Sequence, residues 1–104
     1  MIKKIKQMLG MAPDTDFAEL IRNGAVIVDV RSKGEYASGH FKGSVNIPLD
    51  QLEYNLSKLK KDDVIITCCA SGMRSGVAKN HLINQGFKKV YNGGGWASLN
   101  KLMK

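Results

Sequence analysis

The chain has no long apolar run, and that lack excludes most membrane roles. Nothing in its 104 residues approaches the ~20 consecutive apolar residues that a spanning helix needs. The basic start, Met1 to Gly10, has Lys3, Lys4 and Lys6 breaking up its apolar residues, so the roughly 7–15-residue apolar core of a secretory signal is missing too. Cysteine is scarce. The two present, Cys68 and Cys69, are neighbours, and a disulfide between neighbours is strained and closes no loop. That excludes a disulfide scaffold, and free thiols fit a reducing compartment, so the expected location is cytoplasmic. No convincing cluster of metal-ligating residues exists, and no metal site is expected.

Acidic residues are also few, 9 against 16 Lys and Arg, leaving a net charge of +7. Such a charge draws anions of any size. Aromatic residues make up only 7% of the chain and the lysines are scattered, which argues against a nucleic-acid interface. Most of the charge reads as solvated surface. What remains is an ordinary single-domain composition, 43% hydrophobic and able to bury a core unaided.

Patterning divides the chain into alternating elements. Ile2, Ile5, Met8 and Leu9 mark a basic amphipathic helix over residues 1–12, ahead of a core over 13–104. Asp14 or Thr15 is expected to cap a helix carrying Phe17, Leu20 and Ile21, ended by Asn23-Gly24. Ala25 to Val30 reads as a buried parallel strand. Ser32 caps a short helix over 33–38, and Ser44 to Pro48 is a short strand. Leu52, Leu56 and Leu59 share one face of a further helical stretch. A strand over Val64 to Thr67 leads into a cysteine loop and a helix from Ser75 to about Gln85, with Val77, Ala78, Leu82 and Ile83 as its core face. Phe87 to Tyr91 is the last strand, Asn92 to Gly95 a loop, and Trp96, Leu99, Leu102 and Met103 lie on a final helix. Strands alternating with helices predict an α/β fold with a mainly parallel sheet covered on both faces.

The segment Val64-Ile-Ile-Thr-Cys-Cys-Ala-Ser-Gly-Met-Arg-Ser75 carries the chemistry. It delivers Cys69 between the carboxyl end of a strand and the amino end of a helix, where unpaired N–H groups and a helix dipole favour thiolate over thiol. Arg74 adds a full positive charge. Ligands of open parallel sheets bind beyond the strands' carboxyl ends, so Asp29, Arg31 and the Gly93–Gly95 run are expected to converge on the same pocket.

At these residues the chain resembles the rhodanese-like sulfurtransferases. The resemblance rests on Val28-Asp-Val-Arg31, Glu35-Tyr36, Gly39-His-Phe-Lys-Gly43, Asn46-Ile-Pro48, Cys69 through Ser75, and Gly93-Gly-Gly-Trp96, which occur in the family's order. It implies a five-stranded parallel sheet and a nucleophile at Cys69. That residue would take a sulfur from a small anionic donor such as thiosulfate or polysulfide and pass it to cyanide or a thiol. A thioredoxin-like protein is one expected acceptor. The backbone of Ala70, Ser71, Gly72, Met73 and Arg74 would cradle the transferred sulfur, with Arg74 holding the donor and no cofactor required.

Phosphatases and arsenate reductases built on related folds are the rival chemistry, but four residues between Cys69 and Arg74 make a ring sized for one sulfur rather than a tetrahedral oxyanion. A non-catalytic interaction module or a protein-to-protein sulfur relay is the other alternative. Cys68 is expected to face away from the pocket, with a resolving thiol as the competing role. His40 and His81 are expected to be structural. Asp29, Arg31 and Glu35 should form one charge network beside the pocket, and Trp96, Phe17 and the methionines should be core or pocket wall.

Overall fold

A computed structural model of the chain describes residues 15–103, so the expected amino-terminal helix and a cap at Asp14 lie outside the described residues. The elements are α1 (Phe17–Arg22), β1 (Val26–Asp29), α2 (Lys33–Ala37), β2 (Val45–Asn46), two 3-10 turns (Leu49–Tyr54 and Leu56–Lys58), β3 (Val64–Cys69), α3 (Met73–Asn84), β4 (Lys89–Gly95) and α4 (Trp96–Lys101). The strands form one sheet in the order β2-β1-β3-β4, every pairing parallel. Among the described residues the sheet has four strands, one fewer than expected.

Side-chain alternation on the central strands splits the core in two. Val28, Ile65 and Val90 pack with Leu52, Ala78, Leu82 and Phe87 on one face, while Ile27 and Ile66 pack with Phe17, Phe41 and Leu99 on the other. Apolar side chains on both faces of β1 and β3 explain why these strands read as unbroken apolar runs. Each face is closed by helices, as expected.

Side-chain caps set two of the four α-helix starts. The α1 cap is Asp16, whose carboxylate accepts the Glu19 N–H at 3.0 Å, rather than Thr15. At α2 the expected cap, Ser32, is part of a capping box: its hydroxyl accepts the Glu35 N–H and the Glu35 carboxylate accepts the Ser32 N–H. The helical stretch expected around Leu52, Leu56 and Leu59 instead forms two 3-10 turns broken at Asn55, although Leu52 and Leu59 are buried as their spacing predicts.

Three expectations are corrected. α3 starts at Met73, and its buried line is Ser75, Ala78 and Leu82, whereas Val77 and Ile83 are 57% and 45% exposed. Spacing of three and four residues from Ser75 selects that line, and the polarity of Ser75 hid it. Asn92 to Gly95 is strand, not loop. A side chain at Gly93 would meet Ile66 Cγ2 at 2.6 Å and the Thr67 carbonyl at 3.0 Å, so glycine there lets β4 lie close to β3. Finally, Leu102, Met103 and Met73 are exposed, while Phe17 is buried and Trp96 packs beside the second cluster.

Candidate active site

Cys69 is the last residue of β3, where the pairing with β4 slips out of register between Thr67 and Cys69. The chain then turns through exposed Ala70 and Ser71 to Gly72, which has φ +104° and caps α3. That left-handed turn is open to glycine and costly for most other residues. It folds the backbone back over the sulfur: the Gly72 N–H donates to Cys69 Sγ at 2.9 Å and the Ser75 N–H at 3.4 Å. The Ser75 hydroxyl lies 3.5 Å from the sulfur.

These contacts bear on how readily the thiol ionises. Burial pushes the Cys69 thiol up, but hydrogen bonds from the Ser75 hydroxyl and from the N–H groups of Ser75, Ser71 and Gly72 outweigh it, and the net direction is down. Its neighbour behaves oppositely. Cys68 points to the other face of the sheet, among Phe17, Ile27 and Ile66, and burial, with the Asp29 carboxylate adding to it, pushes its thiol up to about 12. Two adjacent thiols thus differ because the strand turns one toward N–H donors and the other toward hydrocarbon.

Of the expected cradle residues, Gly72 donates to Sγ through its backbone and Ser71 lends its N–H to the charge. Among the described residues, Ala70, Met73 and Arg74 make no hydrogen bond to Sγ. Arg74 is held by Glu35, its Nη1 and Nη2 donating to the two carboxylate oxygens at 2.7 and 3.0 Å. The Arg74 guanidinium, with the Ser32 N–H and hydroxyl, holds the Glu35 carboxyl at about 2, well below its usual range. Beside Arg74 lies a cleft of about 480 Å³ lined by Val30, Ser32, Lys33, Leu49 and Gln51 among others.

The charge network expected of Asp29, Arg31 and Glu35 is present as two ion pairs, Asp29–Arg31 and Glu35–Arg74, joined by the Arg31 contact to the Glu35 backbone carbonyl. Asp29 and Arg31 form a buried bidentate pair, with Arg31 also donating to the Glu35 and Gly39 carbonyls and lying over the Trp96 ring at 4.9 Å. A buried carboxylate next to the arginine makes that link obligatory, because either charge alone would be costly to bury. Glu35 is the Arg74 anchor. His40 stacks on Tyr36 with its Nδ1 2.8 Å from the Tyr36 carbonyl, and His81 sits on α3; neither contacts Cys69.

Ser75 and Asn92 were not singled out in the sequence. Both are buried, and the Ser75 hydroxyl donates to Asn92 Oδ1 at 2.6 Å. The signal for Ser75 was its place three residues after the loop glycine; Asn92 carried none, because only the β3–β4 pairing brings it alongside.

Comparison with known proteins identifies the family of the fold. The family model described as "Rhodanese-like domain" matches residues 14–101. The putative sulfur carrier protein YrkF of Bacillus subtilis strain 168 is 44% identical over 66 residues, 64% of this chain and 36% of that protein. Thiosulfate sulfurtransferase GlpE of Stutzerimonas stutzeri strain A1501 is 38% identical over 76 residues, 72% of this chain and 70% of that one. Among solved structures, the human single-domain sulfurtransferase TSTD1 superposes with a TM-score of 0.73 at 28% identity, covering 84% of this chain and 89% of that one. The chain therefore spans about a third of one curated relative and most of another, and the fold and the family match converge: it belongs to the rhodanese-like domain family.

Proposed function

We propose that the chain is a sulfurtransferase working through a persulfide on Cys69, within one rhodanese-like domain over residues 1–104 whose core is 13–104. The observation that carries it is the sulfur at the end of β3 receiving two backbone N–H groups, which favours the thiolate needed as nucleophile. The Cys69 thiolate attacks the outer sulfur of thiosulfate; the new S–S bond forms as the old one breaks, and sulfite leaves with the bonding pair. Cyanide or a thiolate then attacks the terminal sulfur, and Cys69 leaves as thiolate. The backbone of Ala70 to Arg74 lines the space the terminal sulfur enters, and Arg74 offers charge to the anionic donor. A single sulfur atom suits a ring of four residues, and no cofactor takes part.

The similarity to thiosulfate sulfurtransferases supports a donor of that class, and the two free thiols fit a reducing, cytoplasmic setting. No helix among the described residues is long and apolar enough to cross a membrane. A sulfur relay to an acidic, thioredoxin-like protein is the second reading, favoured by the similarity to a putative sulfur carrier and by the net charge of +7. Intact-protein mass spectrometry after thiosulfate treatment tests the persulfide. Wild type and Cys68→Ala are expected to gain one sulfur atom, removable by cyanide, and Cys69→Ser none. No gain on wild type with either thiosulfate or polysulfide overturns the proposal.

A further inference from the structure

Asn92 is 4% exposed, and both polar atoms of its amide are engaged. Its Oδ1 accepts the Ser75 hydroxyl at 2.6 Å and the Gly94 N–H at 2.9 Å, and its Nδ2 donates to the Gly72 carbonyl at 3.2 Å. Gly76 makes room for it: a side chain there would come within 3.2 Å of Nδ2. The amide thus reaches Gly72 and Ser75, two of the residues whose N–H groups hold the Cys69 sulfur.

A serine hydroxyl has one proton to give. Around Ser75 Oγ stand three acceptors: Asn92 Oδ1 at 2.6 Å, the Gly72 carbonyl at 3.1 Å and Cys69 Sγ at 3.5 Å. While Cys69 is a thiol, its S–H donates to Ser75 Oγ and the hydroxyl donates onward to Asn92. Once the thiol proton leaves to solvent, the sulfur can only accept. The hydroxyl must then turn toward it and give up Asn92. The Gly72 carbonyl needs no help from Asn92 to stay in place, because the Gly76 N–H also donates to it at 3.1 Å.

We propose that Asn92 is a positioning residue that competes with Cys69 for the Ser75 hydroxyl proton and so sets how readily the sulfur ionises. The hydroxyl keeps its proton throughout and only rotates about its C–O bond. In turnover the consequence rests on the persulfide reading: when charge moves out to the transferred sulfur, the hydroxyl returns to Asn92, and it turns back as the thiolate is restored. The charged and titratable groups around the sulfur are Arg74 on α3, Glu35 on α2, the Asp29–Arg31 pair at the end of β1 and Cys68 on β3. The Asn92 side chain hydrogen-bonds to none of them, so its influence runs through Ser75.

Ultraviolet titration of the Cys69 thiolate, with Cys69→Ser as the blank, tests this on the intact chain without any sulfur donor. Asn92→Ala is expected to move the midpoint down by about one pH unit, the size of one ordinary hydrogen bond. Ser75→Ala is expected to move it up, and Ser75→Ala/Asn92→Ala to match Ser75→Ala alone, since without the hydroxyl Asn92 has nothing to compete for. Asn92→Asp, a stronger and charged acceptor at the same place, is expected to move it up and serves if the alanine variant does not fold. A midpoint that stays or rises in Asn92→Ala overturns the proposal. So does a downward shift that persists without the Ser75 hydroxyl, or a fall in Asn92→Asp. A wild type that takes up no sulfur yet shows this titration pattern would overturn the reaction and leave the proton competition standing.

Discussion

Glu35 and Arg74 are 39 positions apart and meet as a bidentate ion pair at the mouth of the cysteine loop. Neither residue announces the other in sequence. The pair has a pH signature, because Arg74 and the Ser32 N–H hold the Glu35 carboxyl at about 2 against about 4.3 in an unfolded chain. A depressed carboxylate stabilises the fold above its unfolded value, and that contribution is lost as pH falls through about 2. Wild type should therefore exceed Glu35→Gln in urea midpoint at pH near neutrality, and the gap should close as the pH approaches 2. A gap that stays constant across this range would mean that Arg74 gains nothing from the Glu35 charge. Half-exposed on both sides, the pair contributes modestly, and its greater effect is to fix where the Arg74 charge sits.

At the scale of elements, α3 shows how one polar residue can mislead a reading of helix faces. The apolar spacing of Val77, Ala78, Leu82 and Ile83 is sound as a pattern, yet the helix turns Ser75, Ala78 and Leu82 inward. It does so because Ser75 must reach the sulfur and Asn92, and those hydrogen bonds satisfy its buried hydroxyl. Leu82→Ala should cost about 2–5 kcal/mol of unfolding free energy, since it opens a cavity among fully buried neighbours. Val77→Ala should stay within about 0.5 kcal/mol, as exposed positions do. Denaturant unfolding of the two variants checks both, and equal losses would place the core face where the spacing alone puts it.

The whole molecule carries a net charge of +7 and presents its cysteine loop at the carboxyl ends of parallel strands. An anionic donor approaching such a surface is attracted before it makes any contact. That attraction reaches across roughly 30 Å at 10 mM salt and only about 8 Å at 150 mM. The kcat/KM for thiosulfate is therefore expected to fall several-fold over that range while kcat changes little. Steady-state assays at the two salt concentrations test it, and a salt-independent kcat/KM would assign the donor's capture to the local N–H groups alone.

The α/β class, the parallel strands β1 and β3, the Ser32 cap and the placement of Cys69 at a strand end were all legible in the chain. Each depends on residues close together in sequence: unbroken apolar runs, a capping serine, a glycine turn. The strand nature of Asn92 to Gly95, the pairing of Arg74 with Glu35, the buried line through Ser75 and the strand count were not. These depend on which strands lie side by side and how closely their backbones approach, and spacing along one chain does not encode that. Thus the sequence by itself determined that a thiol would sit between a strand's carboxyl end and a helix's amino end in a parallel-sheet domain. Only the tertiary structure decided what competes with that sulfur for the Ser75 hydroxyl, because Asn92 comes from a strand 23 residues away and arrives only when β4 pairs with β3.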